Sequence, residues 1–478
     1  CRRIPFGRRS ELSFVPSLRR RGVFLLLLVF LALAGGLLFF CARPPKPAEP
    51  IVLTIWHNPT GHREDALSLA VDRFNRSIGR ERGVVIIVTA IAKSEIMHEK
   101  LMSIAQGDPG APQPPDIVIA YPKSAMPLIA KGALAALDDY FSPEELSAYI
   151  PEFIESGRLG DGRLYVFPIG RSTEGLLVNR TLWDRFSRET GTPVTELATF
   201  EGIVRAAECY HEWTDAKTPD IEGDGDVFFM VDNPFNLAQA VFAQLDDDLF
   251  DGDRLNVHSP VYERVWKLFF EPTVRGCESV YKGYGTDLAK TGRMLCWTSS
   301  TAGITFMPKN VVYDDNTSEP VEFELLPFPI MEGGRKVAIQ RAGGFCLFRS
   351  TPDRQQAAVD FLKWLTRPEE NLRYVEGTGY LPVTRNALET AQARWGKDAT
   401  GIWKSYVEAI GVMNREYRFL PQRSIANYGE LEILYEGRMR RLAEEARERY
   451  RELLPAVGAE RAWREATEGA YAKFVESK

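Results

Sequence analysis

Three short apolar runs constrain this chain more than any other feature: "IVLTIWHN" (51–58), "GVVIIVTAI" (83–91) and "PPDIVIAY" (114–121). Each is rich in β-branched residues and apolar at nearly every position, the pattern of a strand buried on both faces. The segments between them keep helical time instead. "HREDALSLAVDRFNRS" places Leu67, Ala70, Val71 and Phe74 on one face, "SEIMHEKLMSIAQG" is helical, and "SAMPLIAKGALAALDDYF" predicts a further helix. Strand–helix–strand–helix–strand with short links implies a parallel α/β sheet flanked by helices. In open sheets of this kind ligands bind beyond the carboxyl ends of the strands.

The alternation continues less cleanly downstream. "LYVFPIGRSTEGLLVNRTLW" (164–183) holds two strand-like runs around a polar break. "ATFEGIVRAAECYHEW" and "DRQQAAVDFLKWLT" read as helices, the second with Ala358, Phe361, Leu362 and Leu365 on one face. "DVFFMVDN", "RMLCWTSSTAG" and "VEFELLPFP" read as strands or strand ends. From about 429 the chain reads as almost all helix, broken near "PAVG", with its charges expected on a solvated face. At 478 residues the chain is too long for one ordinary core, which predicts two lobes.

The N-terminal fifty residues read as an address. "RRRGVFLLLLVFLALAGGLLFFCA" places an uncharged stretch, 23–42, directly after Arg19–Arg21. That is about the length needed to span a bilayer, and the preceding arginines direct the remainder outward. Three readings stay open: a lipoprotein cysteine at Cys41, an uncleaved anchor helix, or cleavage after Ala32–Ala34. All three export the body. "ARPPKPAEP" then reads as an extended tether.

Formal net charge is −6, and the first 50 residues carry nine Arg/Lys against two Glu, so +7, which leaves −13 for the remaining 428. An acidic body argues against nucleic acid as a partner. Cys209, Cys277, Cys296 and Cys346 lie in the exported body, where either bridges or buried thiols are allowed.

No arrangement for catalysis is present. The five histidines are scattered, and His98-Glu99 lacks the second histidine of a zinc protease motif. No nucleophile elbow and no phosphate-binding loop occurs, and no cofactor is implied. "DIEGDGDV" aligns Asp220, Glu222, Asp224 and Gly225 with a calcium loop, but Val231 falls on the chelating last position, so an acidic surface turn is the better reading. What remains are polar phrases that interrupt apolar stretches: "GRSTEG", "WTSSTAG", "QRAGGF", "GTGYLP" and "LPQRSIANYG". They offer hydroxyls, bare backbone N–H groups, a tyrosine and an arginine, which can bind a small molecule but place no base beside a nucleophile.

In order and spacing these phrases resemble the family 1 extracellular solute-binding proteins of ABC importers, over about 51–478. The resemblance implies a two-lobed periplasmic-binding-protein-like fold of type II, closing on ligand by a hinge, with an ABC permease as partner and no enzymatic activity. It divides the chain into a cytoplasmic arm and signal or anchor (1–41), a tether (42–50), a first lobe (51–167 and 343–395) and a second (168–342 and 396–478). The branch of that family that binds glycerol-3-phosphate is the nearest in these phrases. By that likeness Tyr380, Arg423, Ser172, one of Ser299 and Ser300, and Gly343 would hold a phosphate, as arginine forks and short hydroxyl donors do. The polyol side departs: Ile96 or Met97, Tyr121 and Phe235 stand where that branch has other residues. The implied ligand is a small phosphorylated polyol. A neutral sugar or oligosaccharide on the same fold, and a membrane-tethered sensor, are the alternatives.

Overall fold

The three apolar runs become strands because β-branched side chains fit a pleated surface buried on both sides. A computed structural model describes residues 25, 26, 28–32, 49–57, 63–91, 94–313, 315–341, 343–376, 378–421, 423, 425 and 427–476. In chain order, β1 (Ile51–His57), α1 (Arg63–Phe74), β2 (Val84–Ala90), α2 (Ser94–Gln106), β3 (Ile117–Ala120) and α3 (Pro122–Ala130) follow the expected alternation. The helix expected over "SAMPLIAKGALAALDDYF" covers only its first half. It ends before Gly132, whose φ of +65° leaves the helical region, and Leu134 is recruited into a bridge with Phe348.

Downstream lie β4 (Ser172–Asn179), α4 (Phe200–Asp215), β5 (Phe229–Val231), α5 (Pro234–Gln244), α6 (Pro260–Arg275), β6 (Glu278–Ser279), β7 (Cys296–Ser300) and β8 (Phe323–Leu326). Then come β9 (Val337–Arg341), β10 (Gly344–Leu347), α7 (Pro352–Leu365), α8 (Ile402–Glu416), β11 (Arg418–Leu420) and α9 (Tyr428–Val457).

Two sheets organise the two lobes. The first has the order β10-β3-β1-β2, with β1 parallel to both neighbours and β10 antiparallel to β3. The second runs β6-β5-β7-β4-β9-β11, with β8 also paired to β4. It is mixed rather than mostly parallel: β5 is parallel to β6 and β7, whereas β4 is antiparallel to β7, β8 and β9. In the first lobe Phe74 meets Phe361 and Trp364 edge-on at 5.1 and 5.4 Å, so α1 and α7 lock together. In the second, Trp183, Phe186, Phe200, Phe235, Phe242 and Tyr262 share one core with α9. The charges of α9 are not all solvated, since Arg440 is buried and donates to the carbonyls of Tyr281 and Asp232 at 2.9 and 3.5 Å.

The chain passes between the sheets at three places. Phe167 still bridges Phe345 beside the first sheet, and β4 begins five residues later. The return runs from β9 to β10. The third passage bridges Leu381 to Arg171 and Thr384 to Tyr149. Arg171 ties these passages together. Its Nη1 donates to Gly343 O at 3.1 Å, and its Nη2 donates to Phe153 O at 3.3 Å and Ser156 Oγ at 2.9 Å. Its own backbone exchanges two hydrogen bonds with Leu381, at 2.7 and 3.2 Å. Burial pushes the Arg171 pKa down to about 10, so the guanidinium stays charged at neutral pH.

Residues 1–50 form a unit of their own, in which 25, 26 and 28–32 are helical and exposed. Most of 23–42, Cys41 included, and most of the tether lie outside the described residues. Among the described residues no helix is long and apolar enough to cross a membrane. Cys209, Cys277, Cys296 and Cys346 are free thiols, and burial pushes Cys277 and Cys346 up to about 12.

Candidate functional site

Strand register gathers the polar phrases along one edge. Glu278 of β6, Phe229 of β5 and Cys296 of β7 are level, so Asp232, just past the end of β5, lies beside the last residues of β7, and Arg440 joins its carbonyl to that of Tyr281 in the loop after β6. Strand β4 runs the other way and starts at this edge with Ser172, Thr173 and Glu174, while β9 ends there with Arg341. On the first sheet Tyr121 follows β3 and Gly343 precedes β10, at the corresponding edge. This is where an open α/β sheet presents a ligand site.

Side chains within the edge are mutually bonded. Ser300 Oγ donates to Ser172 Oγ at 3.2 Å, and Ser172 Oγ to Arg341 O at 3.3 Å. Arg341 Nη1 donates to Glu174 Oε1 at 3.1 Å, and Asn236 Nδ2 donates to the same oxygen at 2.7 Å. Asp232 Oδ1 accepts the Gly285 N–H at 2.8 Å. Lys123 of α3 pairs with Glu432 of α9 at 2.7 Å, and Asn233 Nδ2 donates to Glu432 at 3.2 Å. Burial raises the pKa of Glu174 and of Asp232, with Arg341 pulling both the other way. Burial also pushes Glu436 up to about 7, with the neighbouring Glu432 adding to the shift.

The turn "GTGYLP" joins this edge through a glycine. Gly379 has φ +65°, and a Cβ there would come 3.0 Å from Ala302 Cα, so a side chain would push the turn off the "SSTAG" segment. Tyr406 Oη donates to the carbonyls of Gly379 and Tyr380 at 3.3 and 3.4 Å. The Tyr380 ring lies over Gly170, where an added Cβ would sit 2.9 Å from Cδ2. Tyr380 and Tyr121 both sit close enough to the Arg171 guanidinium to act on its charge, and Tyr121 also acts on Arg341.

Of the residues expected at the site, Ser172 and Ser300 are bonded to each other beside Arg341, and Tyr380 and Tyr121 lie within electrostatic range of Arg171. Ser299 is buried one residue deeper, with its hydroxyl bonded to Asp232. Gly343 serves by close approach: an added Cβ would sit 2.8 Å from Ala120 O, and its carbonyl is taken by Arg171. Phe235 requires a correction. It has no exposed surface and packs against Phe250 at 5.9 Å and against Tyr428 and Tyr435 at 5.3 Å, so it is a core residue and cannot touch ligand in this arrangement. Arg423 follows the edge strand β11 and turns elsewhere, pairing with Asp248 and lying 5.7 Å from the Phe250 ring centroid. It lines a separate cavity of about 470 Å³ with Gln239, Asp246, Asp247 and Arg418. The acidic turn at 220–227 is self-satisfied, with Asp224 accepting from Thr218 and its N–H donating to Asp215 at 2.8 Å. Among the described residues no acidic, histidine or cysteine group could hold a metal.

Glu174, Asp232 and Arg341 also lie at this edge, and sequence reasoning did not single them out. A signal was present: each is a charged residue at the end of an otherwise apolar strand, as in "STEGLLV", "FFMVD" and "VAIQR". Such a charge is costly unless something at the strand end satisfies it.

Residues 70–402 match the family described as bacterial extracellular solute-binding protein. No curated protein sequence matches the chain. Among solved structures, an ABC substrate-binding protein of Listeria monocytogenes in complex with cycloalternan aligns with a TM-score of 0.65 and 16% identity, over 90% of this chain and 100% of that one. UgpB of Mycobacterium tuberculosis in complex with glycerophosphocholine gives 0.63 and 16%, over 89% and 98%. The cyclic alpha-maltosyl-1,6-maltose binding protein of Arthrobacter globiformis gives 0.59 and 19%, over 89% and 99%. At these identities the likeness is one of fold.

Proposed function

Given that the chain belongs to the bacterial extracellular solute-binding proteins, we propose that it captures a neutral carbohydrate in the cleft between its lobes and delivers it to the membrane subunits of an ABC importer. One observation carries the choice of ligand: Arg341, Lys123 and Arg171, three cations at this edge, already have partners on the protein. Arg341 meets Glu174, Lys123 meets Glu432, and Arg171 meets carbonyls and a serine. Asp232 and Glu436 add further carboxyl groups. A phosphate dianion would have to compete with Glu174 for Arg341 and with Glu432 for Lys123, and with backbone carbonyls for Arg171. A sugar hydroxyl instead donates to a carboxylate while accepting an N–H from the arginine beside it, so both charges stay satisfied. Tyr380 and Tyr121 supply flat walls for the ring. The ligand is bound and released unchanged, contacts to both lobes favour the closed form, and residues 23–42 or a lipid on Cys41 hold the protein at the membrane.

Thermal denaturation and calorimetry against a panel test this. Neutral di- and trisaccharides are compared with glycerol-3-phosphate and glycerophosphocholine. A cognate sugar at 100 times its Kd is expected to add about 2.7 kcal/mol of stability. A shift with glycerol-3-phosphate and none with sugars would overturn the reading. A zwitterionic glycerophosphodiester is the second reading, because carboxylates beside tyrosine rings also suit a quaternary ammonium group.

Arg423→Ala separates the sugar from the phosphorylated polyol. Its ion pair with Asp248 is half exposed, so the substitution is expected to cost at most about 1 kcal/mol of stability and to leave sugar affinity within about twofold. Loss of binding on this change would return Arg423 to the site and restore the phosphate clamp.

A further inference from the structure

One buried side chain where the lobes join makes no hydrogen bond. Gln340 is the next-to-last residue of β9, where the return passage begins, and it stands opposite Thr173 of β4. It is 6% exposed, and among the described residues neither its amide nitrogen nor its amide oxygen has a partner. Val337, Ala338 and Ile339 before it are buried and apolar, so an apolar residue would suit this strand better. Gln340 lines a narrow recess whose walls leave no room for a water molecule. Those walls belong to the segments that join the lobes. Arg171, Ser172 and Thr173 follow the first passage, Leu381 lies in the third, Phe153 is in the first lobe and Phe419 is in β11 of the second sheet. Elsewhere the lobes touch across the cleft. Lys123 stands on α3, which packs on the first sheet through Ala125 and Leu128, and it meets Glu432 of α9 at 2.7 Å. Tyr435 and Met439 of α9 belong to the core of the second lobe. The arrangement is therefore a closed one.

We propose that Gln340 is a hinge residue that opposes closure of the empty protein: its amide is dry and unbonded when the lobes are together and takes up water when they swing apart. An amide carries two donors and an acceptor, and burying it without partners is unfavourable. Hinge motion is absorbed by the few residues that cross between lobes. The recess is built from those residues, so rotation of the lobes changes its width while both cores stay as they are. Lys123 and Glu432 pull the other way, but their pair is partly exposed and contributes little. The balance keeps the ligand-free cleft open for entry and reserves the closed form for the loaded protein. It also lowers the apparent affinity of any ligand that requires closure, whichever ligand the cleft takes.

Single-molecule energy transfer on the full chain, in detergent and without ligand, tests this. Dyes are carried by unnatural residues at Glu99 in the first lobe and Lys282 in the second, both exposed. Open and closed molecules are counted for the parent, Gln340→Met, Gln340→Leu and Gln340→Glu. The parent should be mostly open. Methionine keeps the length of glutamine without its polar atoms, and should raise the closed-to-open ratio about tenfold, the scale of one unmet buried hydrogen bond. Gln340→Leu should follow it, which keeps the test intact if methionine does not fit. Gln340→Glu should lower the ratio, because a carboxylate demands more water than an amide. Urea titration of the same proteins separates hinge from core. Apolar variants that gain overall stability with a ratio within twofold of the parent's give Gln340 a merely structural part and overturn the proposal. A ligand-free parent that is already closed overturns it as well.

Discussion

An Arg171→Met protein is expected to unfold about 3 kcal/mol more easily than the parent, from the loss of charge-assisted hydrogen bonds to buried acceptors. Methionine fills much of the same space but donates nothing. Gly343 O and Phe153 O would then lose a donor inside the protein, along with the Ser156 hydroxyl. Gly343 lies in the return passage, and Phe153 and Ser156 lie in the first lobe where the first passage leaves it, so the damage falls where the passages meet that lobe. Arg171→Lys should recover only part of the loss, because a single ammonium cannot copy the spread of a guanidinium fork. Urea titration of the three proteins measures this. A methionine variant within about 0.5 kcal/mol of the parent, the range of neutral surface changes, would show that the three passages hold together without it.

The second large effect separates core from site. Phe235→Ala is expected to cost about 3–5 kcal/mol, as deletions of buried aromatic rings do. The ring is completely buried and meets Phe250, Tyr428 and Tyr435, so its removal opens a cavity between α5 and α9. Ligand affinity, measured well below the melting transition, should be unchanged. A variant that keeps its stability and loses its ligand would put Phe235 back in the cleft.

Some contacts of this edge were legible in the sequence because their signals are local. "GTGYLP" announces a turn with a positive-φ glycine, and Gly379 is that glycine, set against Ala302 of the neighbouring phrase. "GRSTEG" and "WTSSTAG" are breaks in apolar runs, and Ser172 and Ser300 meet there. Arg423 and Phe235 show the limit of such reading. An arginine in a polar loop suits a ligand clamp or a surface ion pair equally well, and only the position of Asp248, 175 residues earlier, makes it the second. A phenylalanine at the start of an apolar helix has the same local appearance whether it faces a core or a cleft.

The sequence by itself determined the strand–helix alternation of the first lobe, from Ile51 to Ala130, since buried runs and helical periodicity act over a few residues. It also determined that the body is acidic and that catalytic motifs are missing from it. Tertiary structure alone decided the order of the strands. That order aligns Asp232, Ser300, Glu174 and Arg341 along one edge, though they come from four separate strands or strand ends. It also decided the charge of the site. Whether an arginine can hold a phosphate depends on which carboxylate stands beside it, and Glu174 lies 167 residues from Arg341. Coulomb energy depends on distance in space and on burial, neither of which a linear spacing carries.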